Sequence, residues 1–101
     1  MADFKIGVII DSFRLGLDEG IRKAREVGAD GIQIYATSGN MAPESLNSAQ
    51  RRELLDKITS RGLVVSALCG DLGGHGFMDA ADNARRIEKS KRIMELAKDL
   101  E

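Results

Sequence analysis

Short apolar runs alternate along the chain with longer stretches in which apolar residues recur every three or four positions. Lys5-Ile6-Gly7-Val8-Ile9-Ile10 is nearly continuous and rich in β-branched residues. Such a run predicts a strand over 5–10, of the kind covered on both faces in a parallel sheet. Asp11 and Ser12 end it with polar groups. Leu17, Ile21, Ala24 and Val27 then form one apolar stripe at helical spacing, which predicts a helix over 17–27. Asp18 and Glu19 sit in its first turn, where the helix dipole favours negative charge. Gly28 suits the left-handed position just past its end.

The same order follows twice more. Gly31-Ile32-Gln33-Ile34-Tyr35 predicts a strand over 31–35, and a polar loop from Ala36 to Leu46 carries the only proline, Pro43. Asn47 with Gln50 three residues on forms a candidate capping box for a helix over 48–61, with Leu54, Leu55 and Ile58 as its inner face. Gly62 follows that helix as Gly28 follows the first. Leu63 to Leu68 predicts the third strand, which runs into the glycine-rich loop Cys69-Gly70-Asp71-Leu72-Gly73-Gly74-His75-Gly76. Asp82 or Asn83 is placed to cap a helix over 83–100. Its inner face is read as Ala84, Ile87, Met94 and Ala97, broadened by Ile93 and Leu100. The opposite side carries Arg85, Arg86, Glu88, Lys89, Lys91 and Glu95, a mixed-charge pattern typical of a solvated face.

Strand and helix alternating three times imply an α/β fold with a parallel sheet. Parallel sheets are buried on both faces and rarely stop at three strands. The third helix reaches Leu100-Glu101 with no glycine cap, proline or following strand. The expectation is therefore the first part of a longer chain, a single partial segment over 1–101. Two architectures begin this way. One is a (β/α)8 barrel, with its site at the carboxyl ends of the strands, and the other a doubly wound sheet with ligands at its switch point. In either, the loops after the strands face the site. They hold Asp11 and Ser12; Thr37, Ser38, Gly39 and Asn40; and Asp71 and His75.

Composition narrows the function classes. The 101 residues are 43% apolar and 31% charged, which suits one globular segment with a modest core. A net charge of −1 argues against a basic nucleic-acid surface. No apolar run approaches the ~20 residues of a membrane span, and the N-terminus lacks the layout of a secretory signal. One cysteine makes no internal disulfide, and the expected location is cytoplasmic.

The individual residues point to binding more than to reaction. His75, the only histidine, lies between glycines in the third loop, where a side chain can hydrogen-bond a substrate. Asp71 can orient it or bind a hydroxyl, or else form a turn with its own backbone. Asp11 and Tyr35 close the first two strands: Asp11 can bind a hydroxyl or end its strand, and Tyr35 can stack on a ligand or pack with its hydroxyl at the rim. Cys69 reads as a small hydrophobe at a strand end. The loop glycines do not have G-x-G-x-x-G spacing, and no Gly-Lys-Ser/Thr follows. Asp79 and Asp82 ahead of the third helix oppose an anion there. No residue is assigned as catalytic or as a metal ligand.

Three stretches carry a family resemblance. They are Lys5-Ile6-Gly7-Val8-Ile9, then Ala24-Arg25-Glu26-Val27-Gly28-Ala29-Asp30-Gly31-Ile32-Gln33-Ile34, and Arg61-Gly62-Leu63-Val64-Val65-Ser66-Ala67-Leu68 with the glycine loop. Together they resemble the opening of a sugar phosphate isomerase/epimerase of the xylose-isomerase-like barrel superfamily, covering about three of the eight barrel units. The resemblance implies a parent enzyme that uses a divalent metal and carboxylates to move a proton beside a carbonyl. Its principal ligands and bases come from later strands, so this chain alone is expected to be inactive and to hold no metal tightly. The implied partner is a small sugar or sugar phosphate, with no nucleic acid and no membrane. The substrate-facing residues are His75, Asp71, Tyr35 and Asp11. A non-catalytic module is the alternative, a partial barrel that self-associates as a homo-oligomer or a small binding domain. A metal-dependent DNA phosphodiesterase fragment is a third reading: His75 loosely matches the early metal-binding histidine of the apurinic endonucleases.

Overall fold

In the computed structural model, which describes residues 4–74 and 76–101, three strands and three helices alternate as the pattern predicts. β1 is Gly7–Ile9, β2 Gly31–Tyr35 and β3 Val64–Cys69. α1 is Leu17–Glu26, α2 Ser48–Thr59 and α3 Asn83–Asp99. The sheet is parallel with spatial order β1-β2-β3. Gly7 pairs with Gly31 and Ile9 with Gln33 across the first ladder. The second ladder runs from Gly31–Val64 to Tyr35–Cys69, with an irregularity at Ile32/Gln33 that leaves Ser66 as an extra residue in β3. The Ser66 hydroxyl donates to the Ile32 carbonyl at 3.0 Å.

All three helices pack on one face of this sheet. Ile10, Ile32, Ile34 and Leu63 from the strand side meet Ile21 and Ala24 of α1, Leu54 and Ile58 of α2, and Ile93, Leu96 and Leu100 at α3 in a single buried cluster. The other face is open, with Ile9, Tyr35, Val64, Ser66 and Ala67 exposed along it. The two-sided burial expected of these strands is therefore half met, because all three helices cover the same side. The radius of gyration is 14.6 Å, against ~13 Å for a compact domain of this size.

Local chemistry sets the element ends. Asn47 and Gln50 form the predicted capping box of α2, each side chain accepting from the other's backbone N–H at 2.8 Å. Gly28 and Gly62 take the left-handed conformation after α1 and α2, at φ +87° and +75°. At the head of the first ladder the Asp30 carboxylate accepts from Ile6 N–H at 2.9 Å, while Asp30 N–H donates to the Ile6 carbonyl at 2.8 Å. This reciprocal pair explains the aspartate in Gly28-Ala29-Asp30-Gly31.

Five expectations are corrected. β1 stops at Ile9 instead of Ile10, because the chain enters a 3-10 turn over Ile10–Phe13. Val27 is the residue after α1 and is 56% exposed, so the α1 stripe ends at Ala24. Leu55 is only half-buried. On α3 the inward face is Arg86, Ile93 and Leu96, whereas Ala84, Ile87, Met94 and Ala97 are exposed, Met94 at 69%. The two apolar stripes of α3 lie on different sides of the helix, and the packed one includes a buried arginine that periodicity of apolar residues does not count. Asp82 precedes α3 but makes no capping bond to it, since its carboxylate is taken by Arg85 and Arg86.

Candidate functional site

The carboxyl edge of the sheet is shaped by the early end of β1. After Ile9 the chain turns over Ile10–Phe13, and Arg14 adopts a left-handed conformation, φ +56° and ψ +37°, with its N–H donating to the Asp11 carbonyl at 3.2 Å. Arg14 is the one non-glycine residue with positive φ among the described residues. β2 continues to Tyr35, beyond the last paired residue of β1. The Tyr35 N–H, left without a strand partner on that side, donates to Asp11 Oδ2 at 3.2 Å. Asp11 thus stands in for a strand carbonyl and closes the ladder that Asp30 opens.

The loop after β2 forms the facing wall. It is built of two 3-10 turns, Gly39–Met41 and Pro43–Ser45, with Met41, Ala42 and Pro43 buried beneath it. Between this wall and the β1–α1 turn lies a cleft of about 310 Å³, at the small end of the range for ligand sites. Ile10, Leu15, Leu17, Ile34 and Met41 supply its apolar lining, and Asp11, Arg14, Tyr35, Ser38 and Asn40 its polar groups. Such a mixture sets a few hydrogen-bonding groups beside apolar surface, as small-molecule sites do.

The structure brings together two of the four residues expected to face substrate. Asp11 and Tyr35 share the cleft and are joined by the bond above. Asp71 is elsewhere: its Oδ1 accepts from Gly73 N–H at 2.8 Å, a turn closed on its own backbone, and it does not line the cleft. His75 lies outside the described residues. Cys69 is half-buried at the end of β3, opposite Tyr35 in register.

The glycine loop passes close to a buried arginine. Arg86 is 8% exposed, with Nε donating to Asp82 Oδ2 at 2.8 Å. A Cβ on Gly74 would lie 2.7 Å from the Arg86 guanidinium, so the loop passes over that group. Hydrogen bonds from Arg85 and Arg86 pull the Asp82 carboxyl down to about 2. Among the described residues, no three His, Cys, Asp or Glu side chains gather as a metal site.

Arg14 was not singled out by sequence, since a charged residue between a strand and a helix carries no distinguishing signal. Asp30 stands out in the sequence only as part of the Ala24–Ile34 stretch. One signal was available: Ile6–Asp30 and Asp11–Tyr35 are each separated by 24 residues, the same offset as the Gly7–Gly31 strand register. The chain matches no protein-family model and no curated protein.

Proposed function

We propose that this chain forms one wall of a sugar-binding cleft in a larger (β/α) enzyme of the sugar phosphate isomerase/epimerase type. The cleft at the carboxyl ends of β1 and β2, with Asp11, Ser38 and Asn40 above an apolar lining, carries the reading. The carboxylate, hydroxyl and amide bind sugar hydroxyls, Tyr35 offers a ring to a C–H face, and Arg14 supplies positive charge for a phosphate ester. These residues bind and orient. Proton transfer is left to groups on other strands of the parent.

The family likeness also suggests a (β/α)8 barrel. The strand order β1-β2-β3 with helices on one face is compatible with barrel winding. The strand order alone is also that of the first half of a 3-2-1-4-5-6 doubly wound sheet, in which right-handed winding carries the helix after the third strand to the other face, and it differs from the 2-1-3 start of the flavodoxin type.

Titration of the 15N-labelled chain with D-ribose, D-xylose and D-ribose 5-phosphate at millimolar concentrations tests the reading. Amide shifts are expected at Tyr35, Ser38 and Asn40, and Asn40→Ala should weaken the response. Absence of shifts at these amides with all three sugars rejects it.

Self-association is favoured by a separate observation: Val64 on the open sheet face and Ile87 and Met94 on α3 are exposed. Sedimentation velocity over a concentration series distinguishes the two readings. A self-associating module gives a dimer that Met94→Lys or Val64→Lys dissociates, and a monomer at all concentrations removes this alternative.

A further inference from the structure

We infer that Arg51 is a positioning residue for the cleft, holding the β2–α2 loop in the shape that presents Ser38 and Asn40. Arg51 lies in the first turn of α2, and its side chain is only 17% exposed. Each face of its guanidinium fork is used. Nε donates to the Leu46 carbonyl at 3.0 Å, Nη2 to the Pro43 carbonyl at 2.9 Å, and Nη1 to Asp99 Oδ2 at 2.8 Å. Two of these acceptors are backbone oxygens of the loop, and the third is a carboxylate in the last turn of α3.

The loop needs such a tether. Its internal backbone bonds are short-range: Ala42 N–H to Gly39, Ser45 N–H to Ala42 and Leu46 N–H to Pro43. These make two small turns but do not fix where the turns sit relative to β2. Met41, Ala42 and Pro43 anchor the loop from beneath through apolar contact, which is non-directional. Arg51 adds direction, because a planar fork satisfies two carbonyls and a carboxylate only in one arrangement. Through Asp99 the same side chain ties the cleft wall to the far end of α3, so the loop, α2 and α3 are set against one another by one residue. A lysine at this position has one nitrogen on a flexible stem and cannot reproduce the fork.

The functional half of this inference rests on the cleft reading, whereas the positioning half stands on the hydrogen bonds alone. Two readouts keep them apart. Hydrogen exchange of wild type, Arg51→Lys and Asp99→Asn is followed residue by residue, together with thermal melting. Arg51→Lys is expected to speed exchange of the amides at 39–42 and 44–46 by about tenfold, the effect of losing one hydrogen bond from a charged donor. Amides of β2 and β3 should hold their wild-type rates. Asp99→Asn keeps both loop carbonyl bonds and an acceptor for Nη1, so exchange in the loop should change by less than about twofold. Unchanged loop exchange in Arg51→Lys overturns the positioning role, and so does equal acceleration throughout the sheet. The second readout is the affinity for D-ribose 5-phosphate, which Arg51→Lys should weaken several-fold. If wild type binds neither that sugar nor D-ribose nor D-xylose, the cleft reading fails while the exchange result still decides the role of Arg51; if it binds only another of the three, that sugar takes the place of D-ribose 5-phosphate. If wild type binds it and Arg51→Lys binds equally well, the functional half is wrong.

Discussion

Replacing Asp11 separates two roles that the fold assigns to one carboxylate. The β1–β2 ladder has only three residue pairs, Gly7–Gly31 to Ile9–Gln33. Asp30 lengthens it at one end through Ile6 N–H, and Asp11 at the other through Tyr35 N–H. In Asp11→Ala the Tyr35 N–H loses its protein acceptor. The site is exposed, so water takes over. The loss is then the net worth of one hydrogen bond, about 1 kcal/mol, not the larger penalty of a buried orphan. In a domain of this size that lowers the melting temperature by about 4–8 °C. Exchange of the Tyr35 amide should quicken by about fivefold. Asp11→Asn keeps a carbonyl oxygen for the same bond, so its melting shift should be less than half of that. Sugar affinity is the independent readout. If the carboxylate also holds a hydroxyl, Asp11→Asn stays near wild-type stability and loses binding. If Asp11 serves only to end the strand, the asparagine variant keeps both. Wild-type melting and unchanged Tyr35 exchange in Asp11→Ala would refute the account of the shortened strand and, with it, of how the cleft is formed.

Acid titration should report on Asp82, whose carboxyl is lowered from 3.8 to about 2 by Arg85 and Arg86. A group with a depressed folded-state value stabilises above its unfolded value and loses that contribution as pH falls through the folded one. Melting temperature should therefore drop between about pH 3.8 and pH 2, and Asp82→Asn should remove this component, as followed by circular dichroism. Gly31→Ala places a Cβ 3.0 Å from the Val64 carbonyl and 3.2 Å from Ser66 Cβ. Both neighbours belong to β3, so the strands must part at a cost of about 1–3 kcal/mol, read from the denaturation midpoint.

The elements that sequence shows most clearly are those whose signal is local. The α2 capping box needs only Asn47 and Gln50, and both side chains make the expected bonds. Gly28 and Gly62 mark helix ends because few other residues accept the left-handed turn. β2 matches its predicted bounds, being the central strand with paired neighbours on both sides. The misread positions depend on what lies across the fold. Ile10 has the same β-branched character as Ile9, yet it begins a turn, and its side chain is buried in the helix-side core. Ile87 and Met94 have the spacing of a core stripe, but α3 turns its Arg86–Ile93–Leu96 side inward. The choice between two apolar stripes is made by packing, which no window of α3 alone contains. Asp71 shows the same limit in the third loop. An aspartate beside glycines is as suited to binding as to turning, and in the fold its Oδ1 accepts from Gly73 N–H.

The cleft itself arises from a mismatch in strand length. β1 ends at Ile9 while β2 runs on to Tyr35, so the carboxyl edge is stepped, not flush. The step leaves one backbone donor, at Tyr35, facing the turn after β1, and Asp11 is the residue that reaches it. With the turn held back in this way, the longer β2–α2 loop can stand opposite and leave space between. Arg51 fixes that loop from behind through Pro43 and Leu46. The walls of the cleft are therefore made by the first two loops, and none of the described residues of the glycine loop lines it. Lengthening β1 should close the cleft. Variants that give positions 10, 12 and 13 strong strand propensity would pair 10–13 with 34–37, release Asp11 from Tyr35, and remove the sugar response at Ser38 and Asn40 while raising thermal stability.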